Sequence, residues 1–148
     1  MWLPNSDYVL VDTGTFITRI GDLFTAEGVS NVSSIGYVNA AYFSPDGKRL
    51  LYSSVGPIKN TIKRERLDLG EAYDLTLYDI ASNRETTIAR GTAEVDYSAL
   101  GWLDNDTVSY ETLIYSENNG ELQVERETHK YNLLTKKSEI DEISPVKK

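Results

Sequence analysis

The chain has no cysteine and a single histidine, His129, among its 148 residues. The first absence excludes disulfides, thiolate nucleophiles and cysteine-ligated zinc, and leaves the redox compartment open. The two scarcities together exclude an ordinary zinc site, so His129 is expected to serve structure or surface rather than catalysis. Positive charge is also short: 15 Lys and Arg stand against 23 Asp and Glu, a net charge of −8 that repels nucleic-acid phosphates and anionic lipid headgroups. Nucleic acid is therefore not an expected partner. No apolar run approaches the length of a membrane span, and the N-terminus has neither the charged start nor the hydrophobic stretch of a secretion signal. Membrane insertion is not expected. A Gly-x-Ser-x-Gly nucleophile elbow and a phosphate-binding glycine loop are both missing. No catalytic residue, metal or cofactor is accordingly expected, nor an enzyme in this chain by itself.

What the sequence does contain is repetition. Trp2-Leu3-Pro4-Asn5-Ser6, Phe43-Ser44-Pro45-Asp46-Gly47 and Trp102-Leu103-Asp104-Asn105-Asp106 each place an aromatic residue before a polar turn and an apolar run. A second pair aligns as well: Tyr78-Asp79-Ile80-Ala81-Ser82-Asn83 with Tyr131-Asn132-Leu133-Leu134-Thr135-Lys136, each leading through a hairpin turn into a short strand. Recurrence of this kind marks a repeat architecture whose units lean on their neighbours to bury a hydrophobic face. Helical periodicity is nearly absent.

The turn signals divide the chain into antiparallel meanders of four strands, the unit of a β-propeller blade. In the second repeat, residues 36–95, the strands are Val38–Phe43, Arg49–Ser53, Asp74–Ile80 and Glu85–Ala89. In the third, residues 96–142, they are Tyr97–Trp102, Val108–Tyr115, Leu122–Leu133 and Lys137–Glu142, and residues 143–148 form a tail. The first repeat, residues 2–34, opens at Trp2 and lacks its inner strand, leaving Tyr8–Val11, Phe16–Phe24 and Gly28–Ser34. The expected fold is a single all-β domain, a partial propeller of about three blades; a β-sandwich is the rival.

Phe43-Ser44-Pro45-Asp46-Gly47-Lys48-Arg49-Leu50-Leu51-Tyr52-Ser53 resembles the repeat of TolB-like β-propellers, which also occurs in the propeller domains of prolyl oligopeptidase-like peptidases. The motif fits the second repeat closely, the third loosely and the first at its surviving half. Its members, Trp2, Phe43, Pro45, Asp46, Gly47 and Trp102, are structural: the aromatic packs between blades, Pro45 presets the turn and Gly47 accepts the backbone angle of the hairpin. The resemblance alone implies an extracytoplasmic, cell-envelope setting. It also implies one of two roles, a non-catalytic scaffold that binds a protein or peptide, or the propeller portion of a larger hydrolase whose catalytic domain lies elsewhere.

Closed propellers have at least four blades of about 40 to 60 residues, so nearly three blades cannot close a ring. The expectation is a homodimer, two arcs making a six-bladed ring, or missing blades supplied in trans. Recognition is expected on the long connection between the second and third strands of the second repeat. There Lys59, Lys63, Arg64 and Arg66 form a basic cluster on an acidic chain, and Tyr73 borders the connection. Tyr115 borders the corresponding loop of the third repeat, and the connection Gly91–Asp96 should lie near the same face. Asp104, Asp106 and Glu111 cluster in the third repeat, and Asp104-x-Asp106 resembles the start of a calcium loop, but the next acceptor and the glycine are lacking, so the cluster is expected to be turn and surface.

Overall fold

The structure is a computed structural model that describes residues 7–12, 18–27, 31–56 and 69–145. Ten strands run in chain order: β1 (Tyr8–Asp12), β2 (Thr18–Thr25), β3 (Asn31–Phe43), β4 (Arg49–Val55), β5 (Tyr73–Asp79), β6 (Arg84–Ala89), β7 (Val95–Trp102), β8 (Thr107–Asn118), β9 (Glu121–Asn132) and β10 (Lys137–Pro145). All pairings are antiparallel between neighbours in sequence, and they make two sheets, β1 to β6 and β7 to β10. The fold is all-β, and among the described residues there is no helix.

The aligned turns share a geometry, which is why they share a sequence. Asn83 and Lys136, six residues into the second repeated motif, both have positive φ, 52° and 56°. One position earlier in each turn, the Asp79 carboxylate accepts the Ser82 N–H at 2.9 Å, and the Asn132 amide oxygen accepts the Thr135 N–H at 2.9 Å. Gly47 takes φ 70° in the β3–β4 turn, and Asn119 and Gly120 take 53° and 79° in the two-residue β8–β9 hairpin. That sign at both central positions is what a tightly twisted hairpin demands.

The first boundary differs from the sequence expectation. Strands expected to end at Ser34 and begin at Val38 are one strand, β3, so the first two repeats form a single six-stranded sheet. The pairing nevertheless changes hands within β3: residues up to Val38 pair with β2, and Val38, Ala41, Tyr42 and Phe43 pair with β4. The ladder slips between Val38 and Ala41, where Asn39 has φ 62°. A bulge of this kind bends a strand without ending it, and no glycine or proline stands there to break the chain. The tail also differs, because β10 continues to Pro145. Its partners are supplied by the long β9, with Glu142, Ile143, Ser144 and Pro145 facing Thr128, Glu127, Arg126 and Glu125.

Two cores follow from the alternation of side chains. Leu10, Leu23, Ile35 and Tyr37 from the first part of the sheet share one cluster with Ala41, Phe43, Leu50, Tyr52, Tyr78 and Ile80 from the second. Their near-complete burial on one face means that the sheet, bent at Asn39, closes over that face. The opposite face of β4 and β5 presents Leu51 and Leu75 to Ala99, Val108 and Tyr110 of the second sheet, with Trp102 and Tyr42 alongside. Leu50, Leu51 and Tyr52 are all fully buried, so β4 is covered on both faces and is the centre of three stacked layers.

Candidate functional site

Antiparallel order sends the β4–β5, β6–β7 and β8–β9 connections to one end of the sheets and the tight turns after β3, β5, β7 and β9 to the other. At the first end, the Gly56 N–H donates to the Ala72 carbonyl at 2.8 Å, which closes a neck at the base of the β4–β5 connection. A Cβ on Gly56 would lie 2.5 Å from the Asp74 carboxylate, so the close approach requires glycine. Asp74, buried, accepts the Gly91 N–H at 2.8 Å, with the Arg90 guanidinium 4.0 Å away. This bond ties the β6–β7 connection to the neck. Gly91 is fixed in turn, since a Cβ there would stand 2.6 Å from the Tyr73 carbonyl oxygen.

Asp96, also buried, bridges the two tyrosines singled out from the sequence. One carboxylate oxygen accepts the Tyr73 N–H and the other the Tyr115 hydroxyl, both at 3.0 Å. Tyr115 also donates its N–H to the Glu94 carbonyl at 2.8 Å. Tyr73 is the first residue of β5, as expected beside the long connection. Tyr115 does not border a loop; it lies inside β8, because the turn to β9 is only Asn119-Gly120. Lys59, Lys63, Arg64 and Arg66 lie outside the described residues. The expected proximity of the 91–96 connection to the long one is real, and its means are Asp74 and Asp96.

Those two carboxylates escaped sequence reading because acidic residues are abundant in this chain and nothing local marks them as buried. Their one signal is position: each stands next to a strand's first aromatic or apolar residues, Tyr73-Asp74-Leu75 and Val95-Asp96-Tyr97. Their bonds to backbone N–H groups and to a phenol make them fasteners of loops.

The other end holds the motif residues. Trp102 donates its indole N–H to the Tyr42 carbonyl at 2.9 Å and lies under the Arg49 guanidinium, 5.2 Å from the ring centroid. The Asp46 N–H donates to the Asn105 side-chain oxygen at 3.0 Å, and Arg49 donates to the Asn105 carbonyl and pairs with Asp106 at 3.5 Å. The repeated turns thus grip one another across the sheets. Phe43 is buried in the first core, Trp102 packs against the second, and each aromatic leans on the layer before it. Pro45 is exposed in its turn, and Trp2 lies outside the described residues. Ser44 donates to the Asp46 carboxylate at 2.6 Å, chiefly through which that carboxyl is held below its ordinary range.

His129 stacks on Tyr110, with centroids 4.9 Å apart, and its Nε2 lies 2.7 Å from the Thr112 hydroxyl and 3.0 Å from the Glu127 carboxylate. The ring is locked within the second sheet. Asp104 accepts the Asp106 N–H at 2.8 Å, an internal turn bond. Among the described residues no three His, Asp or Glu side chains are grouped to hold a metal ion.

No protein-family model matches the chain. No curated protein sequence matches it either. Among solved structures, the crystal structure of TolB from Acinetobacter baumannii is similar at a TM-score of 0.48 and 13% sequence identity, over 94% of this chain. The chain spans 41% of the length of that protein.

Proposed function

We propose that the chain is a non-catalytic recognition scaffold, a partial propeller that binds a protein or peptide through its loop end. In this reading the three layers are blades: β1, β2 and the first half of β3; the rest of β3 with β4, β5 and β6; and β7 to β10. The observation that carries the proposal is the fastening of the loop end, where Asp74 and Asp96 join the bases of the β4–β5 and β6–β7 connections to each other and to strand β8. Such an anchored base suits presentation of a variable segment, since a loop held on rigid elements loses less freedom when it binds. The segment leaving this base at Gly56 and returning at Ala72 contains Lys59, Lys63, Arg64 and Arg66, so the favoured partner is acidic.

Panning a displayed peptide library against the intact chain tests this. Peptides rich in Asp and Glu should be enriched, and their affinity should fall at least tenfold in the Lys63→Glu/Arg64→Glu/Arg66→Glu variant and weaken with added salt. Absence of acidic enrichment, or binding that ignores the triple reversal, overturns the proposal.

A further inference from the structure

Asn119-Gly120 is the one Asn-Gly pair in the sequence, and the fold sets it at the tip of the β8–β9 hairpin. Residues 116–121 are all exposed, and none belongs to either core. Asn119 and Gly120 have positive φ, 53° and 79°, and the pairing of Asn118 with Glu121 closes the turn around them. A two-residue turn of this kind places its hydrogen bonds on the flanking residues and leaves the N–H between its central residues facing water. Among the described residues neither the Asn119 amide nor the Gly120 N–H has a hydrogen-bond partner. A Cβ at Gly120 would meet nothing within 4 Å, so that nitrogen is open to approach. The other described asparagines are placed differently. The side-chain oxygens of Asn83, Asn105 and Asn132 accept from the Tyr78 hydroxyl, the Asp46 N–H, and the Leu134 and Thr135 N–H groups. Asn31, Asn39 and Asn118 precede Val32, Ala40 and Asn119, whose side chains crowd the next backbone nitrogen.

We propose that Asn119 is a modification site, converted to aspartate and isoaspartate by its own backbone. The Gly120 nitrogen gives its proton to hydroxide and bonds to the Asn119 side-chain carbonyl carbon. The bond from that carbon to the amide nitrogen breaks, and the leaving group takes a proton from water and departs as ammonia, which restores the hydroxide. Water then opens the five-membered imide. Attack at the side-chain carbonyl leaves aspartate in an unaltered chain; attack at the backbone carbonyl leaves isoaspartate, with the chain rerouted through the side chain and one carbon longer. Forming the imide requires Asn119 to rotate out of its turn conformation, and an exposed hairpin tip frays at little cost. Either product adds a negative charge beside Glu117 and Glu121. Isoaspartate also lengthens a turn in which two residues set the register of Asn118 on Glu121. The hairpin tip at the loop end thus changes charge and shape with age, in water alone.

Mass spectrometry of the folded chain, held in warm, mildly alkaline buffer and then digested, tests this. Residue 119, located by fragmentation, should gain the mass of an NH2-to-OH exchange before any other asparagine does. A methyltransferase specific for isoaspartate should label the same peptide. The folded chain should react at no less than about one tenth of the rate of the guanidinium-unfolded chain. Gly120→Asp keeps a residue that accepts positive φ but shields the attacking nitrogen with a side chain. It should slow the gain at 119 several-fold and leave the circular dichroism unchanged. A first gain at another asparagine, a folded chain slower than that limit, or an equal rate in Gly120→Asp would each overturn the proposal.

Discussion

Single carboxylates hold the turns, and acid should release them. The Asp46 carboxyl lies below its ordinary range chiefly through the Ser44 hydroxyl, and the Asp79 carboxyl through the Ser82 N–H. A folded-state value below the unfolded one contributes stability that is complete above the unfolded pKa, near pH 4, and is lost as pH falls through the folded value. The thermal midpoint should therefore drop as the pH falls below about 4. In Asp46→Asn the drop should be shallower, read by circular dichroism at a series of pH values; parallel profiles would remove Asp46 from the account. At this scale the turn residues were legible, because Asp-Gly and Asn-Gly pairs advertise their backbone angles. Asp74 and Asp96 were not. A buried carboxylate is defined by partners distant in sequence, such as Tyr115 for Asp96, which no local pattern contains.

At the scale of elements, eight strand positions in the second and third repeats follow from turn chemistry and alternation, and only their ends shift. The boundary inside β3 was illegible for a physical reason: the change of pairing partner at Val38 needs a bend, and an asparagine supplied it without interrupting the strand. Asn39 at φ 62° tolerates this conformation because its short amide side chain fits the left-handed region. A β-branched residue would not. Asn39→Val should lower stability by about 1–2 kcal/mol, while Asn39→Gly should be nearly neutral. Urea unfolding curves decide, and equal midpoints for the two variants would show that the bend is not held at this residue.

For the whole molecule, the junction between the two sheets rests heavily on one side chain. Trp102 joins the Tyr42 backbone, the Arg49 guanidinium and the second core. Trp102→Ala should cost about 3 kcal/mol, and hydrogen exchange should then show the β7 to β10 amides opening ahead of those of β4. Loss of protection spread evenly over both sheets would count against that junction. The sequence marked Trp102 as an inter-layer aromatic, yet the number of separate sheets could not be read, since it depends on whether a strand bends or breaks. The closed neck at Gly56 and Ala72 has a consequence of another kind. With the ends of the intervening stretch already held by a backbone hydrogen bond, lengthening it costs the fold only about 0.6 kcal/mol per doubling. The free-energy cost of a longer or shorter stretch is therefore set at its two fixed ends, Gly56 and Ala72, and grows only with the logarithm of its length.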